Sequence, residues 1–484
     1  NANQALKKLL KIKPNPFTLK SNLKLIKPGN LDDNLNLIND SDWVIEAIIE
    51  DLKVKNKLYQ KIDNIMHEDL IVSSNTSTIP LKILTKDLSK KFKINFFITH
   101  FFNPPRYMKL VEFIYSSSNG EELVSGMAKF MENVLGKGIV YAKDTPNFIA
   151  NRIGVFGMMV TVNEAINRKI NIEDVDALTG PIIGRPKSAT FRTADVVGLD
   201  VMQFVANTAY NKCKNDQYRE QYAIPEKVKH LINNKHLGQK SGAGFYKKID
   251  KGVIHVFDFE SMDYRPINKK RFKAIALAKE QNTLQGKLKA AIFCDDDAGE
   301  FLWALTSKSL IYCAELLGEI SDDIVNIDNA LCWGFAWEKG PFKTWDMLGF
   351  EKVISKMKES DLKVPNWVLD MQSKGFSSFY KEEKGQYYYY DLKSKDYKQI
   401  DLGDNQITFA TFIKRNKTIK KNWSASMIDL DDGVLGVALH SILKPDFNPL
   451  DGSIVSTLES AVKWVSDNNY KGIVMASDGP KLSA

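Results

Sequence analysis

At 484 residues the chain exceeds what one hydrophobic core organises, and a typical domain of about 150 residues points to roughly three domains. Hydrophobic residues at 44%, charged residues at 26% and aromatics at 11% supply several packed cores and exclude a disordered or fibrous chain. The formal net charge of +8, from 67 basic and 59 acidic residues, is spread without a basic arm or block, so nucleic acid is not an expected partner.

The first third alternates short apolar runs with amphipathic stretches. Residues 44–49, 70–74, 96–102 and 109–114 are β-branched or aromatic runs that read as buried strands, and 52–66 and 121–135 carry the helical period between them. This alternation predicts a largely parallel, doubly wound sheet whose ligands bind beyond the carboxyl ends of the strands. Asp144-Thr-Pro-Asn147 closes the sheet region, and from Phe148 the pattern is helical.

A repeat follows. Asp174-Val-Asp176 with Phe191-Arg-Thr-Ala-Asp195-Val-Val-Gly198 is echoed by Asn326-Ile-Asp328 with Phe342-Lys-Thr-Trp-Asp346-Met-Leu-Gly349. The paired aspartates are 19 and 18 residues apart, which predicts two copies of one helical module; chance similarity is the alternative. The glycine run Gly238 to Gly244 lacks the order of a phosphate loop and reads as a tight turn. Residues 381–425 read as a connector with some extended structure, the run Tyr387 to Tyr390 fitting a strand packing edge better than a stacking platform. From Ser426 a hairpin around Asp432-Gly433, a helix over 454–464 and a strand over 472–476 are expected, too little to bury a core and so the beginning of a domain.

Cys213, Cys294, Cys313 and Cys332 form no CxxC pair and sit in apolar stretches, which argues against disulfides and zinc and for a reducing, cytoplasmic compartment. No run approaches the roughly 18 apolar residues of a membrane span, and no signal pattern opens the chain. It begins Asn-Ala-Asn without a Met, as if cut from something longer.

His100 is the titratable group of most interest, because it follows an apolar run and precedes Phe-Phe-Asn-Pro, at a strand's carboxyl end. Glu112 lies inside Lys109-Leu-Val-Glu112-Phe-Ile, where a buried carboxylate needs a partner. Paired with Glu112, the His100 imidazole would have a fixed tautomer and raised basicity, fit to take a proton from an alcohol. The pattern alone fits a satisfied structural histidine equally well. Ser74-Asn-Thr-Ser77-Thr78 can line a ligand crevice or form a cap or Asx turn. Asn151 can donate to a substrate oxygen or bridge domains.

The strings Asp42-Trp-Val-Ile-Glu-Ala-Ile-Ile-Glu50, Ser74-Asn-Thr-Ser77, His100-Phe-Phe-Asn103-Pro, Lys109-Leu-Val-Glu112 and Lys143-Asp-Thr-Pro-Asn-Phe-Ile-Ala-Asn151-Arg resemble, in order and spacing, the NAD-dependent 3-hydroxyacyl-CoA dehydrogenases of fatty-acid β-oxidation, over about residues 30–250. The order of domains is similar to the long bacterial fusions of 3-hydroxyacyl-CoA dehydrogenase with enoyl-CoA hydratase. The resemblance implies an α/β plus α architecture: a partial Rossmann-like NAD-binding domain over 1–146, two all-helical modules like the C-terminal part of 6-phosphogluconate dehydrogenase over 147–255 and 256–380, the connector, and the start of a crotonase-like domain over 426–484. It implies oxidation of (S)-3-hydroxyacyl-CoA by NAD, with His100 as general base and Glu112 orienting it. Ser77 and Asn151 would bind near the reacting oxygens, and Glu50, Lys55, Ser77 and Asn103 would contact the cofactor. The implied partners are an acyl-CoA thioester, a second copy of the chain and a thiolase, with no metal. The competing readings are a dehydrogenase of another small β-hydroxy substrate and a non-catalytic relative.

The family's first strand, its G-x-G-x-x-G turn and its ribose-binding acid belong before Asn1, so the chain alone is expected to bind NAD poorly. The oxyanion hole and paired glutamates of a hydratase belong beyond Ala484, so hydratase activity is not expected of residues 1–484. On this reading the chain is truncated at both ends.

Overall fold

A computed structural model describes residues 2–250, 252–383, 386–401, 408–442 and 448–477. The chain divides into two compact units, residues 1–341 and 342–484. Among the described residues no helix is long and apolar enough to cross a membrane.

The first unit opens on a five-stranded sheet in the order β1 (Trp43–Glu46), β2 (Ile71–Ser74), β3 (Phe96–Phe101), β4 (Leu110–Ile114), β5 (Gly138–Tyr141). The first three strands are parallel, as their alternation with helices predicts. β4 runs antiparallel to β3 because only eight residues connect them, too few for a helical crossover, and β5 is parallel to β4. β5 has no counterpart in the expected strands, since four residues show no period. β1 ends at Glu46, short of the expected 49, because the Glu46 carboxylate accepts the Ile48 amide at 2.6 Å and turns the chain.

The strands read as continuous apolar runs because both faces are covered. Helix α1 (Leu52–Ile65) is capped by the Asp51 side chain and turns Tyr59 onto Phe92 and Phe96, with centroids 5.7 and 5.4 Å away. Helix α2 (Glu121–Asn133) carries Glu121 and Glu122 in its first turn, where they complement the helix dipole. It packs Val124, Met127, Ala128 and Met131 on Phe97, Val111, Phe113 and Ile139.

Beyond the sheet, helices α3 (Ala150–Asn167) and α4 (Asp297–Leu316) are buried along most of their length, which explains apolar residues all round rather than in a stripe. The repeat has a physical basis. Asp195 accepts the amides of Phe245 and Tyr246, both at 2.8 Å, and Asp346 accepts those of Phe379 and Tyr380 at 2.8 and 2.9 Å. Each tie leads into a three-stranded antiparallel sheet: Tyr246–Asp250, Val253–Asp258 and Asp263–Pro266 in one copy, Tyr380–Glu383, Gln386–Asp391 and Asp396–Gln399 in the other. The modules are therefore not all-helical. The boundary drawn at 255/256 falls within a strand, and the first part of the stretch read as a connector is the second copy's sheet. Its central strand holds Tyr390 against Trp367 and Phe376.

Burial pushes the Asp195 carboxyl up to about 7, against the pull of its two amides. At pH 8, where both oxygens accept, Asp195→Asn aims an NH2 at an amide donor and should cost about 1–3 kcal/mol, as should Asp346→Asn. Urea unfolding checks both; no loss at either position would mean that the tie does not hold that copy together.

The second unit contains this second sheet and a cluster in which Phe379 meets Phe342, Trp345 and Phe350 at 5.1, 5.2 and 5.2 Å. It continues into a four-stranded sheet of Thr418–Lys421, Ala425–Asp429, Val434–Leu439 and Gly472–Ala476. The expected hairpin forms, with Asp431, Asp432 and Gly433 all at positive φ. Helix Gly452–Asp467, capped by Asp451, crosses over to the last strand, which is parallel to Val434–Leu439. The edge strand Thr418–Lys421 lies in the stretch read as a connector.

Candidate active site

The antiparallel turn between β3 and β4 creates the central pair. In that register His100 stands directly opposite Glu112, and Nδ1 of the ring lies 2.6 Å from Oε2 of the carboxylate. Glu112 is fully buried, and its other oxygen, Oε1, accepts the amides of Ile149 and Ala150 at 2.9 and 2.7 Å. Those amides belong to the start of α3, where orphan donors and the helix dipole favour a negative charge. They reach Glu112 because Asn147 and Phe148 take left-handed φ values of 66° and 49° and fold the chain sharply into the helix. The Asn147 side chain donates to Val205 O at 2.9 Å and holds that turn.

With Nδ1 committed to Glu112, the neutral ring carries its proton there and presents Nε2 as an acceptor. Nε2 has no hydrogen-bond partner among the described residues. The ring sits between Phe102 and Phe148, with centroids 5.0 and 5.7 Å away, and is 7% exposed. Phe335, just beyond helix α5 (Ile324–Gly334), packs on Phe102 at 6.0 Å, and a Cβ on Gly154 would collide with it. The wall beside His100 is thus built by residues more than two hundred positions further along the chain.

Glu50, Ser77 and Asn103 all lie beyond the carboxyl ends of β1, β2 and β3, on the edge that also carries His100. Glu50 organises the loop after β2: it accepts from Thr76 Oγ1 at 2.6 Å, from the amides of Ser77 and Thr78 at 3.0 and 3.1 Å, and from Thr78 Oγ1 at 3.0 Å. Burial pushes its pKa up, but these bonds and the Lys55 charge outweigh burial and hold it below the ordinary carboxylate value. The hydroxyl of Ser77 and the amide of Asn103, which is exposed, have no hydrogen-bond partner among the described residues. Asn151, in the first turn of α3, likewise has a free side chain and follows the Ala150 amide that holds Glu112.

Lys55 is placed differently. It is 1% exposed, with its ammonium 2.7 Å from Glu46 and 3.4 Å from Glu50, so it neutralises two carboxylates beneath the loop. Glu46 also accepts from Tyr59 and from Ser74, the latter at 2.6 Å. Glu46 and Tyr59 were not anticipated, although a carboxylate within Val-Ile-Glu-Ala-Ile-Ile demands a partner as Glu112 does. Asn75, part of the Ser74 to Thr78 run read as a crevice lining or a turn, accepts the Phe101 amide on its Oδ1 at 2.9 Å and so ties the Ser77 loop to the strand end beside His100.

Residues 2–145 match the family model of the 3-hydroxyacyl-CoA dehydrogenase NAD binding domain, and residues 148–248 that of the 3-hydroxyacyl-CoA dehydrogenase C-terminal domain. A "Probable 3-hydroxyacyl-CoA dehydrogenase" of Deinococcus radiodurans is 40% identical over 247 residues, 51% of this chain and 70% of that protein. The chain belongs to the 3-hydroxyacyl-CoA dehydrogenase family. A second relative of that name, from Bacillus subtilis, is 42% identical over 478 residues, 99% of this chain and 59% of its own length. A Rickettsia prowazekii protein provisionally named a fatty acid oxidation complex trifunctional enzyme is 28% identical over 99% of the chain, which spans 62% of it. The 3-hydroxybutyryl-CoA dehydrogenase structure from Escherichia coli shares the fold, with a TM-score of 0.54 at 19% identity over 73% of this chain and 84% of that one. Within the 3-hydroxyacyl-CoA dehydrogenase match, the NAD binding domain carries His100, Glu112, Glu50, Lys55, Ser77 and Asn103, and the C-terminal domain carries Asn151.

Proposed function

We propose that the protein oxidises (S)-3-hydroxyacyl-CoA to 3-oxoacyl-CoA with NAD in fatty-acid β-oxidation. The observation that carries this reading is the His100–Glu112 pair, closed on one side by two backbone amides and open at Nε2 on the other. In it, Nε2 removes the proton of the C3 hydroxyl, and the fixed carboxylate stabilises the imidazolium that results. Ser77 and Asn151 offer their free side chains to the reacting oxygens, and Phe102, Phe148 and Phe335 keep water from the ring.

The residues beyond β1, β2 and β3 fit the nicotinamide side of NAD: the Ser77 hydroxyl and Asn103 amide are free, and Glu50, held by Lys55, shapes the loop between them. NAD, when bound, supplies the hydride acceptor. Residues 1–42 contain no glycine-rich turn for its pyrophosphate, and no described residue is given that role.

The whole protein on this reading also hydrates 2-enoyl-CoA, works in the cytoplasm, pairs with a second copy and associates with a thiolase. The antiparallel strands, crossover helix and parallel strand over 418–476 are compatible with the opening of a crotonase-like domain, and the Rickettsia relative's name supports a multifunctional enzyme. The proposed end of that opening, residues 478–484, lies outside the described residues. NADH formation by the full-length protein from (S)-3-hydroxybutyryl-CoA and longer thioesters, with none from the free acids, is the expected result. Equal turnover of free 3-hydroxybutyrate would overturn it in favour of another small β-hydroxy substrate, and no turnover of either in favour of a non-catalytic relative.

A further inference from the structure

The loop between helices Ile172–Leu178 and Phe191–Val197 is pinned at several points. Gly180 O accepts the amides of Ile183 and Arg185 at 3.1 and 3.3 Å, and Gly184, at φ 69°, closes the turn. The Gly184 carbonyl accepts the Glu338 amide at 2.8 Å, which stitches the loop to the segment following Phe335. This places the Arg185 guanidinium over the Trp337 ring, Cζ 4.3 Å from the centroid. The stacking fixes the plane of the guanidinium and leaves its N–H edges unused.

No carboxylate, carbonyl or hydroxyl among the described residues takes a hydrogen bond or ion pair from Arg185. Its position is unlike that of Arg152, which holds Asp216 and Glu319, or Arg265, which holds Glu173 and Asp258. Arg185 is half-buried, so a solute can reach it. Burial pushes its pKa down to about 10, opposed only by the nearby Cys313 thiol. A half-buried cation without a protein partner can be completed by a ligand that brings negative charge. The position is telling too: Trp337 lies two residues beyond Phe335, which packs on Phe102 beside His100, so the segment that carries the Arg185 stack also supplies a wall of the candidate active site.

We propose that Arg185 is an anion-binding residue for the acyl-CoA ligand, its planar fork taking two oxygens of a phosphate or carboxylate on the molecule whose hydroxyl meets His100. This rests on the dehydrogenase reading. The anion has two sources, the phosphates of CoA or a carboxylate at the far end of the acyl chain, and ligand choice separates them.

Calorimetric titration of the full-length protein and of Arg185→Met, which keeps an apolar stem against Trp337, is the test. If the phosphates are bound, the variant loses about 10- to 100-fold in affinity for acetoacetyl-CoA and nothing for acetoacetyl-pantetheine; this is the worth of a charge-assisted hydrogen bond. If the carboxylate is bound, the loss is confined to a 3-oxoacyl-CoA with a terminal carboxylate. Affinities within twofold of wild type for all three ligands would overturn the proposal. Thermal unfolding without ligand is independent of NADH formation. Removal of an unpaired charge should leave the melting temperature equal or higher, and inorganic pyrophosphate should raise it less in the variant. A variant that melts several degrees early with an unchanged pyrophosphate shift would make Arg185 structural and sink the idea. Loss of the pyrophosphate shift in a protein that forms no NADH would instead keep the anion site and remove the dehydrogenase reading.

Discussion

Glutamine in place of His100 should lower NADH formation from a 3-hydroxyacyl-CoA by roughly 10²–10⁴-fold, the span that general base catalysis contributes. Its amide can still donate to Glu112 Oε2, so the buried carboxylate keeps a partner and the fold should lose little. What disappears is the acceptor at Nε2. NAD binding, measured by fluorescence titration, should be unchanged, because the residues proposed for the nicotinamide side lie beyond β1, β2 and β3 and do not include the imidazole. Glu112→Gln differs in kind. Oε1 receives two amide N–H groups, so the variant's carbonyl oxygen stays there with weaker, neutral bonds and its NH2 turns to the ring Nδ1, which accepts it only by moving the ring proton to Nε2 and so removing the base. That variant should lose about 1–3 kcal/mol of stability as well as turnover. A His100→Gln enzyme within tenfold of the wild-type rate would remove His100 from the role of base.

The pair was legible because each member broke its local rule: a histidine ending an apolar strand and a glutamate inside one. Their geometry was not, because a sheet read as parallel offers no cross-strand partner at an offset of twelve residues; only the reversal at β4 places them opposite each other. The same rule applied to Glu46 would have asked for a partner such as Lys55, which the family resemblance gave only as a cofactor contact. The repeat was visible since Asp195 and Asp346 perform one identical task, bonding two amides where a helical module meets its sheet. Of the second copy's sheet only the strand containing Tyr387 to Tyr390 was legible; its neighbours, of four residues each and rich in lysine and acids, look like loop. Phe335 could not be assigned to the site from sequence, since nothing local marks contact across such a separation.

Arg152 directly follows Asn151 in the first turn of α3 and is fully buried. Its Nε donates to Tyr312 Oη at 2.7 Å, Nη1 to Cys213 Sγ at 2.8 Å, and Nη2 to Asp216 at 2.7 Å and Glu319 at 3.3 Å. Tyr222 donates to the Arg152 carbonyl, Tyr312 donates to Asp216, and Phe156 stacks on Tyr312 at 3.8 Å. Arg152→Met strands the Asp216 carboxylate, which is nearly as buried, and should cost about 3–5 kcal/mol, the penalty of an uncompensated buried charge. Lysine should not rescue it, because one ammonium cannot span acceptors set around a planar fork. Glu319 is half-exposed, and Glu319→Gln should cost under about 1 kcal/mol. Urea unfolding orders the three; an Arg152→Met loss below about 1 kcal/mol would mean that solvent reaches Asp216. The loss should also reach the chemistry, since the guanidinium's bonds to Tyr312, Cys213 and Asp216 anchor the first turn of α3, whose Ile149 and Ala150 amides hold Glu112. A guanidinium that touches none of the reacting atoms would then set how firmly the carboxylate holds the base.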